Sequence, residues 1–333
     1  MHDELPALSS DERPKRILVT GANGFIGRHV CSALEMAGFR VRRAVRSLGT
    51  TAGPPHYDSI AIGDIGPNSN WTDALSDVQA VVHLAAHVHR LKQKEDTEHE
   101  YFRVNAEGTR ALVTQACEVG VERFIFLSST KVHGECSDQK PFAADDALAP
   151  VDAYGKSKLA AEYATRDIAD RSRTGWVIVR PPLVYGPGVG ANFYRLLTLV
   201  DRQIPLPFKG IVNKRSLVSI GNLSDFLVRV LSQPEALGEA FLVSDDYDLS
   251  TGELVSKIGE SMGKKPLLFK VPLRILEFAG RILGYGAEVS RLTQSLRLDV
   301  SHTRLTLGWR PVESTEKGIS RVTEWYLTKR AEH

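Results

Sequence analysis

Cysteine is scarce: Cys31, Cys117 and Cys136 are the only three in 333 residues. So small and scattered a set excludes a disulfide framework and suits a chain kept in a reducing cytoplasm, where we expect it. Cys31 and Cys117 fall on amphipathic helical patterns and read as buried apolar side chains; Cys136, in GECSDQK, reads as exposed. Only His133, three residues before it, stands near, and no metal is assigned to it. His87 and His89 in AAHVHR have no thiol or carboxylate in their segment either, so they read as loop residues and no metal is expected.

Charge of one sign is also missing. Lys and Arg number 42 against 40 Asp and Glu, interspersed and without a basic run, which removes the electrostatic footprint of nucleic-acid binding. Long hydrophobic runs are absent too. The opening MHDELPALSSDERPKR is polar, with neither the apolar core of a signal peptide nor a spanning segment, and residues 1–14 are expected to be a flexible tail. The apolar stretch from Val271 to Tyr285 carries Arg274 and Arg281 and is too short to span, so no membrane insertion is expected; it reads as a lid or lobe helix rather than a membrane-surface helix. There is no internal repeat and no low-complexity tract.

What is present is a soluble, enzyme-sized composition, 42% hydrophobic and 25% charged, on a chain long enough for two lobes. Its first half alternates short apolar runs (RILVT, AVVHLAA, RFIFLSS, WVIVRPPLVYG) with helical patterns such as IGRHVCSALEMAG and YGKSKLAAEYATRDIADRS. Continuous apolar strands separated by helices predict a parallel sheet covered on both faces, a doubly wound α/β fold whose ligands bind beyond the carboxyl ends of the strands. After YGPGVG the pattern loosens. We expect a dinucleotide domain over 15–186 and a smaller lobe over 187–330, with about 215–245 returning to the first sheet.

Gly21, Gly24 and Gly27 follow the first strand and open a helix, where missing side chains would let backbone amides approach a pyrophosphate at the positive helix end. A tight strand-to-helix connection alone would also use them. The second strand ends VRRAVRS, with Arg42, Arg43 and Arg46 and no acid, which favours NADP(H) over NAD(H), with Arg46 on the 2′-phosphate; a solvated basic strand end is the alternative. Asp64, after the third strand, would accept from an adenine amino group or cap a turn.

In YGKSK, Tyr154 and Lys158 lie four apart on one helix face, so the ammonium can sit beside the phenol and lower a pKa normally about 10, which suits the tyrosine to proton transfer. Ser129, at the end of the preceding strand, could hydrogen-bond the oxygen gaining or losing that proton.

TGANGFIG at 20–27, HLAA at 83–86, SSTKVHG at 128–134, YGKSK at 154–158, RPPLVYGPG at 180–188 and LGWRP at 307–311 together resemble the extended short-chain dehydrogenase/reductase superfamily, in its nucleotide-sugar epimerase/dehydratase branch. The resemblance covers Arg16 to Tyr326. It implies a Rossmann-type domain, a lobe for a UDP-sugar, and a homodimer. It makes Ser129, Tyr154 and Lys158 the catalytic set, and puts cofactor contacts at Gly21, Asn23, Gly24, Phe25, Ile26, Gly27, Arg46, Asp64, Ile65, Leu84, Ala85, Ala86, Asn105, Tyr154, Lys158 and Pro181.

Substrate contacts are implied at Ser129, Thr130, Asn192, Phe193, Arg215 and Arg291, the two arginines on the diphosphate; Asn192 and Phe193 are otherwise an N-cap and an ordinary apolar helix residue. Thr130 and Lys131 stand where 4,6-dehydratases carry Asp and Glu, which argues against dehydration. Lys131 would meet a substrate oxygen or turn to solvent. Leu183 and the strand-end arginines depart from typical UDP-galactose 4-epimerases. The expectation is therefore NADPH-dependent reduction of a UDP-2-acetamido-2,6-dideoxy-4-keto-hexose in surface polysaccharide synthesis, with a UDP-hexose 4-epimerase using bound NAD as the alternative. A non-catalytic NADP(H) sensor is the remote third.

Overall fold

The computed structural model describes residues 15–48, 58–88, 98–137, 140–282 and 284–332. The expected tail and His89 lie outside these residues.

The strands are β1 (Arg16–Thr20), β2 (Arg40–Val45), β3 (Asp58–Ala61), β4 (Ala80–His83), β5 (Arg123–Leu127), β6 (Gly175–Arg180), β7 (Leu183–Tyr185), β8 (Leu217–Ser219) and β9 (Glu239–Leu242). Seven form one sheet in the order β3-β2-β1-β4-β5-β6-β9, every pairing parallel. The chain builds outward from β1 in one direction and then in the other, so strand order reverses between β1 and β4. The crevice at that reversal is where doubly wound sheets bind ligands. Strands β7 and β8 make a small parallel pair of their own.

The helices on this frame are α1 (Phe25–Met36), α2 (Thr72–Leu75), α3 (Glu98–Tyr101), α4 (Gly108–Glu118), α5 (Ala153–Ala169), α6 (Ala191–Asp201), α7 (Ile220–Arg229), α8 (Thr251–Ser261), α9 (Leu273–Ile282), α10 (Gly286–Thr293), α11 (Ser301–Leu307) and α12 (Thr315–Ala331). Because RILVT is covered on both faces, its alternate side chains enter different cores. Ile17 and Val19 pack with Val30 and Leu34 of α1 and Phe226 of α7. Leu18 packs on the other side with Leu112 of α4 and Ala161 of α5. Cys31 is buried in the first core, Cys117 is half-buried and Cys136 exposed. Truncating a fully buried side chain such as Leu34 to alanine would cost about 2–5 kcal/mol.

A third core, including Leu197, Leu206, Val255, Ile258, Ile319 and Val322, holds α6, α8 and α12 together as the lobe. The chain comes back to the main sheet within it: α7 packs on α1, and β9 pairs with β6 as the sheet's last strand. Within the described residues no helix is long and apolar enough to cross a membrane, and no cluster of three or more His, Cys, Asp or Glu could hold a metal ion.

Candidate active site

The glycines divide their work. A Cβ on Gly21, whose φ is +67°, would stand 2.9 Å from the Ala85 nitrogen; one on Gly27 would stand 2.1 Å from the Gly21 carbonyl oxygen. Two of the three are therefore required by the protein's own packing, where β1 touches the end of β4 and where α1 meets its turn. Gly24 is the exposed one. It caps α1 without a side chain, so the positive first turn of the helix is left to a ligand. Asn23 is exposed beside it, with Phe25 and Ile26 half-buried.

A run of buried hydroxyls fixes the β1/β4 crevice. The Thr20 hydroxyl accepts from the Leu84 and Ala85 amides, each at 3.1 Å, and meets His83 Nδ1 at 2.6 Å. On the far side, His83 Nε2 meets the Thr109 hydroxyl at 2.9 Å, and Thr109 donates to the Asn105 carbonyl at 2.6 Å. Since Thr109 spends its proton on Asn105, His83 donates from Nε2 and accepts at Nδ1, and is neutral. Burial, aided by the nearby Lys158 charge, pushes its pKa down to about 3. Asn105 closes the run: its amide donates to the His87 carbonyl and to Ser157 of α5, both at 3.0 Å, and its oxygen accepts from the His87 amide at 2.7 Å. Asn105 lies in a π-helix, Phe102–Glu107, that leads into α4 and that the sequence pattern did not announce.

Asp152 caps α5, accepting from the Gly155 amide at 2.7 Å, and so sets the first turn that carries Tyr154. Burial pushes the Tyr154 phenol up to about 12, with the Asp152 charge adding to it and a hydrogen bond with the Ser129 side chain opposing it. Ser129 and Tyr154 are thus together, as expected. The lowering expected from Lys158 is not found. The Lys158 ammonium lies 4.0 Å from the Phe126 ring centroid, and burial brings its pKa down to about 7, opposed by Glu162. Helical spacing places Tyr154 and Lys158 on one face, but a long apolar stem turns the charge onto the strand beneath.

Glu162, one turn further on, anchors that helix. It is fully buried, accepts from Arg180 at 3.0 and 2.7 Å, and takes the Ser128 hydroxyl. The i, i+4, i+8 series Tyr154, Lys158, Glu162 was legible in the sequence as a stripe, yet the partner Arg180 lies on β6 and only folding reveals the pair.

Arg42 pairs with Asp58 and bonds to the Ser76 carbonyl, and Arg43 pairs with Glu35. Only Arg46 reaches outward, and it meets Asp64 at 2.8 Å with both side chains about 70% exposed. The acid missing from the end of β2 is supplied by the segment after β3. Ile65 is half-buried beside it, its methyl where a Cβ on Gly108 would fall. Ala86 is half-buried with Leu84 and Ala85, and the Pro181 carbonyl accepts from the Thr130 amide at 3.0 Å.

On the lobe side, Arg215 and Arg291 come together from segments far apart in sequence. Burial lowers the Arg215 pKa from its usual value, and the Arg291 charge lowers it further against Glu135. Arg215 is steadied by the Gln294 carbonyl at 3.1 Å, while Arg291 is exposed on α10. Two guanidinium groups whose charges act on one another suit a doubly charged anion. Lys131 is not simply turned to solvent: it pairs with Asp152 and, at 3.1 Å, with Glu135. Phe193 stacks on Tyr185 in the lobe core with ring centroids 5.5 Å apart, so its side chain is a packing residue and not a substrate contact. Thr130 is likewise buried, and Asn192 is exposed at the start of α6.

The model of the NAD dependent epimerase/dehydratase family matches residues 17–244. The chain belongs to that family. A UDP-glucose 4-epimerase of Vibrio cholerae is 40% identical to this epimerase/dehydratase-family enzyme over 322 residues, covering 94% of this chain and 96% of its own. An N-acetyl-alpha-D-glucosaminyl-diphospho-ditrans,octacis-undecaprenol 4-epimerase of Escherichia coli O157:H7 is 26% identical, covering 87% and 84%. Among solved structures, MoeE5 in complex with UDP-glucuronic acid and NAD is similar at 26% identity with a TM-score of 0.76, covering 95% of this chain and 99% of its own. The enzyme is an NAD(P)-dependent member of the extended short-chain dehydrogenase/reductase superfamily.

Proposed function

We propose that the enzyme carries out oxidation and reduction at C4 of a UDP-hexose, with net inversion at C4. A bound nicotinamide dinucleotide would supply hydride acceptance and return. The glycine turn fits such a group on its own terms, since Gly24 is exposed at the head of α1, and a Cβ on any of the three glycines would press on backbone, at 3.1 Å for Gly24 and closer for Gly21 and Gly27. In its phenolate form Tyr154 would take the O4 proton as the sugar is oxidised, becoming the phenol, and would give it back on reduction, with Ser129 holding that oxygen in place. A phenol pushed up to about 12 is a reluctant acid until a cation or the substrate oxygen joins it. Arg215 and Arg291 hold the diphosphate, which fixes the nucleotide while the sugar presents either face.

What supports this reading is Ser129 beside Tyr154, together with two arginines, Arg215 and Arg291, whose charges act on one another. Similarity along nearly the whole length to the Vibrio UDP-glucose 4-epimerase supports inversion. Lys131 is tied to Asp152 and Glu135, so these two carboxylates are engaged rather than available for eliminating water. One observation favours the second reading, NADPH-dependent reduction of a UDP-4-keto-6-deoxyhexose: Arg46 stands exposed where a 2′-phosphate would lie. The expectation of a cytoplasmic homodimer is retained within this proposal; Val119 beyond α4 and Tyr163 on α5 are exposed and available for it.

The test offers purified enzyme UDP-N-acetylglucosamine and UDP-glucose with catalytic NAD, and separately the UDP-4-keto sugar with stoichiometric NADPH. Nicotinamide absorbance is followed and the sugars are assigned by NMR. Interconversion of C4 epimers without net consumption of cofactor supports inversion. Stoichiometric NADPH oxidation with no epimerisation replaces it with the reductase.

A further inference from the structure

The helix α9 buries the wrong side for an ordinary lobe helix. Gly280 faces α10, where a Cβ would come within 2.6 Å of Val289, and that is the packed side. On the opposite side Ile275, Phe278 and Ile282 follow at i, i+3 and i+7 and are 57%, 66% and 69% exposed. A stripe of large apolar side chains turned to water opposes the usual burial of such a face. Arg274 and Arg281 flank it, both exposed. The apolar exposure continues upstream at Leu267 and Phe269, in a segment tied to Leu206 and Lys209 by backbone bonds of 2.8 to 3.2 Å.

Charge says what this surface meets. Residues 202–214 and 264–285 together hold eight Lys or Arg and a single carboxylate, Glu277, whereas the rest of the chain, with 34 cations against 39 carboxylates, is net negative. Lys264 is engaged by Asp201, but Arg202, Lys209, Lys265, Lys270, Arg274 and Arg281 are exposed. Apolar side chains bracketed by cations on one short helix match the boundary of an anionic lipid leaflet, where the rings enter the acyl edge and the guanidinium groups meet phosphates. A second copy of this chain would bring the same positive field against itself.

We infer that α9 and its flanking basic segment dock the enzyme on an anionic phospholipid surface. The contact is peripheral, and it is independent of the reaction proposed above. Because α9 packs on α10, which carries Arg291, docking places the diphosphate end of the site beside the leaflet.

The full-length chain should co-sediment at low salt with vesicles of phosphatidylcholine containing about one-third phosphatidylglycerol, and not with phosphatidylcholine alone, since the attraction is to anionic headgroups. Phe278→Ser and Ile282→Ser should each lower the partition coefficient about tenfold, and Arg274→Glu with Arg281→Glu by a similar factor, as expected for losing one buried apolar side chain or the headgroup attraction. Turnover of a soluble nucleotide sugar and the thermal midpoint serve as controls and should not move. Failure of the native chain to bind the anionic vesicles overturns the inference, as does binding that Phe278→Ser leaves unchanged. So does an oligomer that Phe278→Ser disperses without any lipid binding, because the stripe is then covered by a second copy.

Discussion

Where β1 meets β4, the site is made from backbone and short buried hydroxyls: Gly21 against Ala85, Thr20 on the Leu84 and Ala85 amides, His83 between two threonines. Where Arg215 meets Arg291, it is made from two long cationic side chains of the lobe whose charges act on one another, one half-buried and one exposed. The first construction has no slack, since every polar atom in it is matched and a single added methyl collides with backbone. The second tolerates change in shape and answers to charge. Damage on the cofactor side should therefore appear as lost stability together with lost function. On the lobe side it should appear as weaker substrate binding in an intact protein.

The largest effect is expected between these regions, at Tyr154. Removing its hydroxyl in Tyr154→Phe should lower kcat by about two to four orders of magnitude with the thermal midpoint unchanged. A variant that keeps its turnover would mean that another group carries the proton and that Tyr154 only lines the crevice. Next comes Gly27→Ala. Its Cβ would meet a carbonyl oxygen at 2.1 Å that no rotamer can move, so a loss of about 3 kcal/mol in denaturant unfolding is expected together with weaker dinucleotide binding. If stability holds and only cofactor binding falls, the turn is more pliant than its packing implies.

Arg215→Met tests the other side. It keeps the stem and removes a half-buried charge near a like charge, so KM for the nucleotide sugar should rise on the order of tenfold or more while stability holds or improves. Arg291→Met, at an exposed position, should raise KM less. Equal losses of stability from both would erase the contrast between the two regions.

Acid should attack two buried histidines, one of them on the cofactor side. His83 and His133 are buried, and their pKa values are lowered to about 3 and about 4 from an unfolded value of 6.5, by burial first and by Lys158 and Arg180 respectively. Below pH 6.5 the unfolded chain takes up protons that these folded histidines refuse, so stability falls as pH drops from 6.5 towards these values. Between pH 7 and 5 the loss should be about 2 kcal/mol per histidine. Urea unfolding at the two pH values checks this; a His83→Asn variant should show a flatter dependence.

The same contrast decides what could be read beforehand. The parallel sheet, the crevice and the Ser129, Tyr154 and Lys158 set are local patterns of hydrophobicity and spacing, and the sequence carries them. The partners of Glu162, Lys131 and Arg46 are not local: Arg180 is on β6, Asp152 is 21 residues from Lys131, and Asp64 reaches Arg46 only because β3 lies beside β2. Phe193 shows the reverse case. At a position that resembled a substrate contact, the ring packs in the lobe core against Tyr185.

The smallest effect concerns Arg46 and Asp64, and it bears on which dinucleotide is used. An exposed pair of this kind is worth about 0–1 kcal/mol, so it neither fixes the fold nor strongly holds the arginine. A 2′-phosphate would have to draw Arg46 away from Asp64, whereas a free ribose could leave the pair intact. Asp64→Asn should therefore improve the KM ratio for NADPH over NADH a few-fold, and Arg46→Ala should worsen it by a similar factor, each within about 1 kcal/mol. Opposite shifts would mean that the pair arbitrates between the two cofactors. If neither variant moves the ratio, the arginines are a solvated strand end, and cofactor choice is set by the backbone of the glycine turn alone.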